Sequence, residues 1–526
     1  MPGNSRSSRR WLRDPLFLLA LAAALIAIVV QSGDLGSSDT QHRENAAHAL
    51  WTSAPPVLPG EYPEFAIHGR NGTLQTWYGI GQSLLLLPFD IAGTYIERLP
   101  IFADYNGNDP TIRNIVVSYG ASILLNVLTA LVCFRFLRRL RFSVGQSAAG
   151  VLALLLLTTH LHYTQNMMEN NYICLLTLAG FCWQLEWAET GSRRALVIGA
   201  GALGLNLLTR LTTGLDLLAC ALFVALAIRL AGTRGPALFA RAKIYAAVTL
   251  PVYAFFILLD RLYQFYRFGS FFNTYAGIAA REWRAQDPSL PSDFPFSAPF
   301  HSGFFGALFS PAKSIFLFDP LLILMLILAA VAWRRFTPAV KAYTLATAVM
   351  LLACISFYAR YFTFAGDTAW GDRYAATAVE LAALLAVPLL LQLWRGISSP
   401  LRALGAALIA ASALVQIASV AFWQSLERYQ MESMHLPDFV IGLRLENIVA
   451  FALGKMGDWG LINPGITDDA WDYQHITTWN LLPFELRHAG AAPLWVDRLT
   501  LVLWWASLAA LAWVLVRLHR LLRDAG

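Results

Sequence analysis

The chain has 526 residues, of which 57% are hydrophobic and only 14% are charged, and its mean hydropathy is +0.52. A soluble protein of this length needs more polar surface, so the composition excludes a soluble globular domain. The net charge of +6 is spread over many short segments without a basic patch containing interleaved aromatic residues, which argues against a nucleic-acid partner.

Twelve apolar stretches approach or reach the length that crosses a bilayer as a helix. We therefore predict an all-α polytopic membrane protein with about 12 transmembrane helices. The fifth stretch is short, and we expect it to be kinked or tilted. The stretches are 15–31, 114–134, 144–160, 170–188, 195–209, 213–230, 244–262, 313–333, 342–359, 375–394, 402–423 and 498–516.

The gaps between these stretches alternate in charge. Every second gap is short and basic, beginning with the arginines before the first stretch and those after the second. Basic residues mark the cytoplasmic side, so both termini are predicted to be cytoplasmic and the first stretch is interpreted as an uncleaved signal anchor. The other gaps hold most carboxylates and include three long outward segments at about 32–112, 263–312 and 424–497.

The first outward segment is rich in polar residues directly after the membrane. Ser38 and Asp39 are predicted to cap a short helix that shows a helical period through Ala46, Ala49 and Leu50. A carboxylate there has a low-dielectric wall on one side and water on the other, which suits a general base. The alternative is that Asp39 serves only as a helix cap.

Two further features follow in the same segment. Residues 68–73 are typical of a turn, and the apolar run at 84–89 is too short to span the bilayer. It is predicted to lie in the membrane interface as an amphipathic helix. All five cysteines fall in apolar stretches without metal-ligand spacing, so we predict neither a disulfide nor a cysteine metal site.

Four sequence segments carry a resemblance to a known family. They are NGTLQTWYGIGQSLLLLPFDIAG (71–93), RFGSFFNTYAG (267–277), LFSPAKSIFLFDP (308–320) and AWGDRYAATAVELAALLAVPLL (369–390). Together with the signal anchor and the outward carboxylate, they resemble the integral-membrane glycosyltransferases of the GT-C superfamily. The similarity is to the bacterial members of the group that contains protein O-mannosyltransferases and aminoarabinose transferases.

The resemblance implies a GT-C-like fold whose outward, periplasmic loops form the active site. It implies transfer of a sugar from a polyprenyl-phosphate donor to a lipid, glycan or protein acceptor at the outer face of the bacterial inner (plasma) membrane. A first-loop acid would act as base, and Asp39 is the matching position. Family members often have two adjacent acids there, whereas Thr40 follows Asp39, so the base and any metal requirement stay open.

The likeness also suggests two regions. Residues 1–395 form the predicted transmembrane catalytic region, and 396–526 form a C-terminal transmembrane region with the outward loop 424–497, which carries little of the resemblance. That loop contains Asp468 and Asp469 among several aromatic residues. These residues are typical either of sugar binding by stacking or of an interfacial aromatic belt.

The candidate site residues fall into three roles. The predicted catalytic residues are Asp39, Glu44 and Glu169; the predicted donor-phosphate ligands are Lys313, Arg373 and Arg210; and the predicted substrate contacts are Tyr78, Tyr374 and His160. Fixed cations at the outer boundary suit a lipid phosphate. No cofactor is certain, and a divalent metal near His160, His162 and Glu169 stays open.

Each cation has a structural alternative. Lys313 is placed equally well to extend its side chain to the interface, Arg373 to pair with Asp372 or Asp367, and Arg210 to pair with Asp216. The predicted partners are a polyprenyl-phosphate-linked sugar donor, its acceptor and membrane lipids. The rival functions are a transporter or lipid flippase and a non-catalytic polysaccharide-assembly factor, but the chain shows no convincing internal repeat and its polar residues gather at one face.

Overall fold

The structure is a computed structural model that describes residues 14–58, 60, 65–107, 110–366, 369–423, 425–432, 434–455, 478–490 and 492–524. Apart from one short hairpin, the regular structure of these residues is helical, which confirms the predicted all-α class. The chain is a multi-pass integral membrane protein. Among the described residues, seven helical segments are long and apolar enough to cross a membrane, so the predicted number of twelve is not confirmed; they are Ile112–Arg139, Leu211–Leu230, Gly235–Phe268, Pro338–Tyr358, Ala376–Gly396, Ser399–Ser419 and Leu494–Arg523.

We number the helices in chain order over the described residues. They are α1 (Pro15–Val30), α2 (Ser38–Ala49), α3 (Gly81–Glu97), α4 (Ile112–Arg139), α5 (Val144–Leu157), α6 (His160–Gln165), α7 (Asn170–Thr190), α8 (Arg193–Leu207), α9 (Gly214–Leu230), α10 (Gly235–Phe268), α11 (Tyr275–Gln286), α12 (Phe300–Phe309), α13 (Ile315–Phe318), α14 (Pro320–Ala332), α15 (Pro338–Tyr358), α16 (Ala376–Ala383), α17 (Ala386–Leu393), α18 (Ser399–Ser419), α19 (Ser425–Glu432), α20 (Val440–Ala452), α21 (Leu482–Ala489) and α22 (Leu494–Asp524).

Each predicted apolar stretch contains helix, and two of them are broken. The stretch 313–333 divides at Pro320 into α13 and α14, because proline lacks the N–H that would continue the helical ladder. The stretch 375–394 divides into α16 and α17. The short fifth stretch corresponds to α8, which has 15 residues.

The first outward segment folds into α2, an antiparallel hairpin and α3. Strands β1 (Ala66–His68) and β2 (Leu74–Thr76) pair with Ile67 opposite Gln75. The predicted turn joins them, and Asn71 has a φ of 59°, a left-handed value that asparagine tolerates. The apolar run at 84–89 lies within α3.

The helical core is centred on four interlocking aromatic rings from four helices. Phe136 of α4, Phe181 of α7, Phe223 of α9 and Tyr343 of α15 pack with ring centroids 5.1–6.4 Å apart. The Tyr343 hydroxyl donates to the Leu381 carbonyl at 2.8 Å, which satisfies the polar atom inside this apolar cluster. This core fixes α7, α9 and α15, whose ends and adjoining loops carry residues of the site described next.

Candidate active site

Asp39 lies in the first turn of α2 and is not the residue that caps it. The N-cap is Ser37, whose hydroxyl accepts from the Thr40 backbone N–H at 3.3 Å. The prediction that Ser38 and Asp39 cap the helix was therefore wrong by one to two positions. Since the cap is supplied by Ser37, the Asp39 carboxylate is available for contacts with other segments.

Both oxygens of Asp39 are engaged by residues distant in sequence. The Tyr78 hydroxyl donates to Oδ1 at 2.6 Å, and Arg373 Nη1 lies 3.0 Å from Oδ2. Burial raises the pKa of Asp39, but the positive charges of Arg373 and Arg43 and the Tyr78 hydrogen bond outweigh it and hold the pKa at about 2. The carboxylate is thus ionised at neutral pH.

Glu169 holds two further arginines beside Asp39. Its Oε2 lies 2.9 Å from Arg43 Nη2, and its Oε1 pairs with Arg210. The Arg43 guanidinium also lies over the Tyr78 ring, 4.1 Å from the centroid. Three guanidinium groups therefore face two carboxylates, an excess of one positive charge in this cluster.

Two close backbone approaches bring these segments together. Gly81 N–H donates to the Leu208 carbonyl at 2.8 Å, and a Cβ on Gly79 would clash with that carbonyl oxygen. Glycine at both positions lets the Tyr78 loop lie against the end of α8 directly before Arg210. Gly366 has a φ of 80°, and a Cβ there would clash with the Arg373 side chain.

The charged cluster forms one wall of a cavity of about 480 Å³. Most of the remaining lining is aromatic, and it comes from the hairpin region, α11, the 294–296 loop and the end of α15. Tyr374 stacks on Tyr358 with centroids 4.2 Å apart and ring planes 5° from parallel. The aromatic residues at the cavity are Phe65, Trp77, Tyr78, Tyr275, Trp283, Phe294, Phe296, Phe357, Tyr358, Tyr361, Phe362 and Tyr374.

The cavity brings together six of the nine predicted residues, five as lining and one as support. Asp39, Tyr78, Arg210, Arg373 and Tyr374 line it, and Glu169 lies behind two of its arginines. Among the described residues, neither Arg373 nor Arg210 forms an ion pair with the acid predicted as its alternative partner, and Asp367, the second candidate for Arg373, lies outside the described residues. Arg373 pairs with Asp39, and Arg210 pairs with Glu169, whereas Asp216 accepts from the Thr177 hydroxyl at 2.8 Å.

Three predicted residues neither line nor support this cavity. Glu44 is buried on another face of α2, with its Oε1 3.1 Å from Arg113 Nε. Lys313 donates from Nζ to the Ala369 carbonyl at 2.6 Å. His160 is fully buried, with Nε2 3.1 Å from Asn126 Oδ1. The functional roles assigned to these three residues gain no support from the cavity.

Two of the three predicted outward loops contribute to the cavity. Residues from 32–112 and 263–312 line it, whereas none of the described residues of 424–497 do. Asp468 and Asp469, together with the aromatic residues Trp459, Trp471 and Tyr473, lie outside the described residues. Trp479 packs on Phe422 with ring centroids 5.1 Å apart.

Sequence reasoning missed Arg43 and, apart from Tyr78 and Tyr374, the aromatic wall. Arg43 follows Asp39 by four residues, the spacing that places two side chains on one helix face, so the predicted helix contained the signal. Burial lowers the pKa of Arg43, and the nearby Asp39 charge opposes that shift. No comparable signal marked Tyr275 or Tyr358, because their positions depend on how α11 and α15 end at the cavity.

No protein-family model and no curated protein matches the chain. Two solved structures show partial likeness. An oligosaccharyltransferase from Archaeoglobus fulgidus, in a complex with Zn and sulfate, is 14% identical with a TM-score of 0.46 over 80% of this chain, which spans 56% of that protein's length. ArnT from Cupriavidus metallidurans, bound to undecaprenyl phosphate, is 13% identical with a TM-score of 0.44 over 85% of this chain and 71% of that one. We draw no activity, substrate or metal from these likenesses.

Proposed function

We propose that the chain is a membrane glycosyltransferase that moves a sugar from a polyprenyl-phosphate donor to a lipid, glycan or protein acceptor at the outer face of the bacterial inner membrane. The observation that carries the proposal is the combination of one ionised carboxylate and three guanidinium groups at one wall of an aromatic cavity. A cation cluster with a net positive charge suits a phosphate, and an aromatic wall suits a sugar ring or a prenyl chain.

In the proposed reaction, an acceptor hydroxyl or amine attacks the anomeric carbon of the donor. The bond between that carbon and the phosphate oxygen breaks, and polyprenyl phosphate leaves with the bonding electron pair. Asp39 accepts the proton of the attacking group. Arg373 and Arg210 stabilise the charge on the departing phosphate, a task for which preorganised cations are effective.

Each arginine is already partnered in the ligand-free site, which gives the substrate a second effect. A donor phosphate that binds Arg373 competes with Asp39 for the same guanidinium. Weakening that ion pair removes part of the interaction that holds the pKa of Asp39 low, so donor binding makes Asp39 a stronger base. Glu169 keeps Arg43 and Arg210 in place and acts as a positioning residue in this scheme.

The test is sugar transfer by the full chain reconstituted in lipid. A panel of radiolabelled polyprenyl-phosphate sugars is incubated with a membrane extract as acceptor, and label transfer is compared among the wild type, Arg373→Gln and Arg360→Gln. Arg360 is a matched control, because it is half-exposed and pairs with Asp293 at 2.7 Å outside the cavity. We expect transfer by the wild type and the control and strong loss in Arg373→Gln.

Two results would contradict the proposal. One is equal transfer by Arg373→Gln and the control. The other is a folded wild type that consumes no donor while added substrate changes cysteine accessibility on both membrane faces, which is the behaviour of an alternating-access transporter.

A further inference from the structure

Three helices that support the active site meet at a cluster outside the cavity. His160 begins α6, Cys174 lies in α7 and Glu380 lies in α16, and all three are fully buried. Their nearest possible ligand atoms, one from each side chain, all lie within 4.8 Å of one another. Imidazole, thiolate and carboxylate are the three side-chain groups that bind zinc in proteins.

The hydrogen bonds of His160 determine which ring nitrogen faces the cluster. Nε2 lies 3.1 Å from Asn126 Oδ1, and the Asn126 amide nitrogen donates to the Ala23 carbonyl at 3.5 Å. An amide oxygen only accepts, so Nε2 carries the hydrogen. Nδ1 is then the free nitrogen of the neutral ring, and a partner that fixes the tautomer in this way is a regular feature around metal-bound histidine.

The opposite side of the cluster is a carboxylate oxygen. Glu380 Oε2 lies 3.6 Å from His160 Nδ1, and both atoms are buried without a hydrogen bond between them; the Cys174 thiol is a hydrogen-bond partner of the same carboxylate. Thr159 orients the other oxygen, Oε1, through its hydroxyl at 3.3 Å. A nitrogen lone pair and a carboxylate facing each other repel unless a proton or a cation lies between them.

Within the described residues, no arginine or lysine forms an ion pair with Glu380. We propose that His160, Cys174 and Glu380 bind a zinc ion, with a water in the fourth tetrahedral position. Binding releases the thiol proton, so the thiolate and the carboxylate neutralise the two charges of the ion. A thiolate favours zinc over magnesium or calcium, which prefer oxygen ligands.

The position of the site indicates what the ion does. His160 lies nine residues before Glu169, and Glu380 lies seven residues after Arg373. Zinc bound here connects the segment that carries Glu169 to the segment that carries Arg373, the ion-pair partner of Asp39. The inference does not depend on glycosyl transfer, because metal content is measured separately from activity.

The test is the zinc content of the full chain, purified from zinc-supplemented cells without chelator and measured by mass spectrometry of the metal. Cys174→Ser and Glu380→Gln remove single ligands. Cys220→Ser is the matched control, because Cys220 is equally buried in α9 but lies outside the cluster. We expect about one zinc per chain in the wild type and the control, and roughly tenfold or greater loss in both ligand variants.

Cobalt substitution gives a second readout of the thiolate ligand. The wild type and Cys220→Ser should show a thiolate-to-cobalt charge-transfer band that Cys174→Ser lacks. If Cys174→Ser does not fold, as judged by gel filtration, Glu380→Gln still tests the metal content. A folded wild type that neither contains zinc nor takes up zinc or cobalt would overturn the proposal. His160 Nδ1 and Glu380 Oε2 would then share a proton and not a metal ion. Equal zinc in the wild type and both ligand variants would also overturn it.

Discussion

Glu44 should make the stability of this protein depend on pH across the neutral range. The carboxylate is fully buried, and Asp90 shares its partner, since Arg113 Nε lies 3.1 Å from Glu44 and 2.6 Å from Asp90. His48 Nδ1 lies 3.1 Å from Asp90, and Gln41 donates to Glu44 at 2.9 Å. Burial raises the pKa of Glu44, Arg113 opposes it and Asp90 adds to it, which brings the pKa to about 7 from 4.5.

The size and sign of the pH effect follow from the linkage between proton binding by Glu44 and folding. A rise from 4.5 to about 7 corresponds to about 3 kcal/mol of the free energy of unfolding. Because the folded-state pKa is the higher one, this contribution is fully present below pH 4.5 and is lost as the pH rises through about 7. Glu44→Gln keeps the neutral form at every pH. Its stability relative to the wild type should therefore increase by about 3 kcal/mol between the acid and alkaline ends of this window.

The assay is unfolding of the reconstituted protein as a function of pH, followed by intrinsic fluorescence, for which the 17 tryptophans give a strong signal. Glu189→Gln is the control, because that carboxylate pairs with Arg139 at 3.0 Å at a more exposed position. The control should follow the wild-type profile. A constant stability difference between Glu44→Gln and the wild type at all pH values would show that the pKa of Glu44 is not raised by folding.

Three further substitutions test the charged wall. Arg373→Lys keeps the charge but loses the planar fork, so donor turnover should fall by about tenfold or more in kcat/KM measurements. Glu169→Gln leaves the buried Arg43 and the partly buried Arg210 without their shared partner, and it should destabilise the protein by about 3–5 kcal/mol in unfolding experiments; an unchanged midpoint would contradict the role assigned to Glu169. Tyr78→Phe removes a hydrogen bond that lowers the pKa of Asp39, so the acid limb of the pH–rate profile should move to higher pH, and an unmoved limb would show that the bond does not tune the carboxylate.

The sequence predicted the helical stretches because a bilayer requires long apolar runs that are visible in composition alone. It selected Arg210 as a candidate because a charge inside an apolar run needs a partner or a function, and the structure places Arg210 beside Asp39 and Arg373 at the cavity; the roles of the three residues stay predictions. The number of spans could not be confirmed in this way. Several helices are short or broken, including α8 and the pair α13 and α14, and hydropathy does not determine where such helices end.

The pairing of charges depended on tertiary structure. Sequence proximity favoured Asp216 as the partner of Arg210. In the structure Arg210 pairs instead with Glu169, which lies between α6 and α7. Glu44 and Asp39 share a short helix, yet they point to different clusters because their separation of five residues places them on different faces. The spacing of the cysteines in the sequence likewise gave no sign that Cys174 lies close to His160 and Glu380, because the three residues come from separate helices.

We propose Asp39 as the base of the glycosyl transfer. The most direct measurement is the rate of sugar transfer from a polyprenyl-phosphate donor by Asp39→Asn, which keeps the size of the side chain and removes its charge. Asp287→Asn, in an exposed turn where Asp287 accepts from the Ser289 hydroxyl at 2.6 Å, is the control. We predict a loss of about 100-fold or more in Asp39→Asn, with the control at wild-type level and both proteins folded. Wild-type transfer by Asp39→Asn would show that Asp39 is not the base.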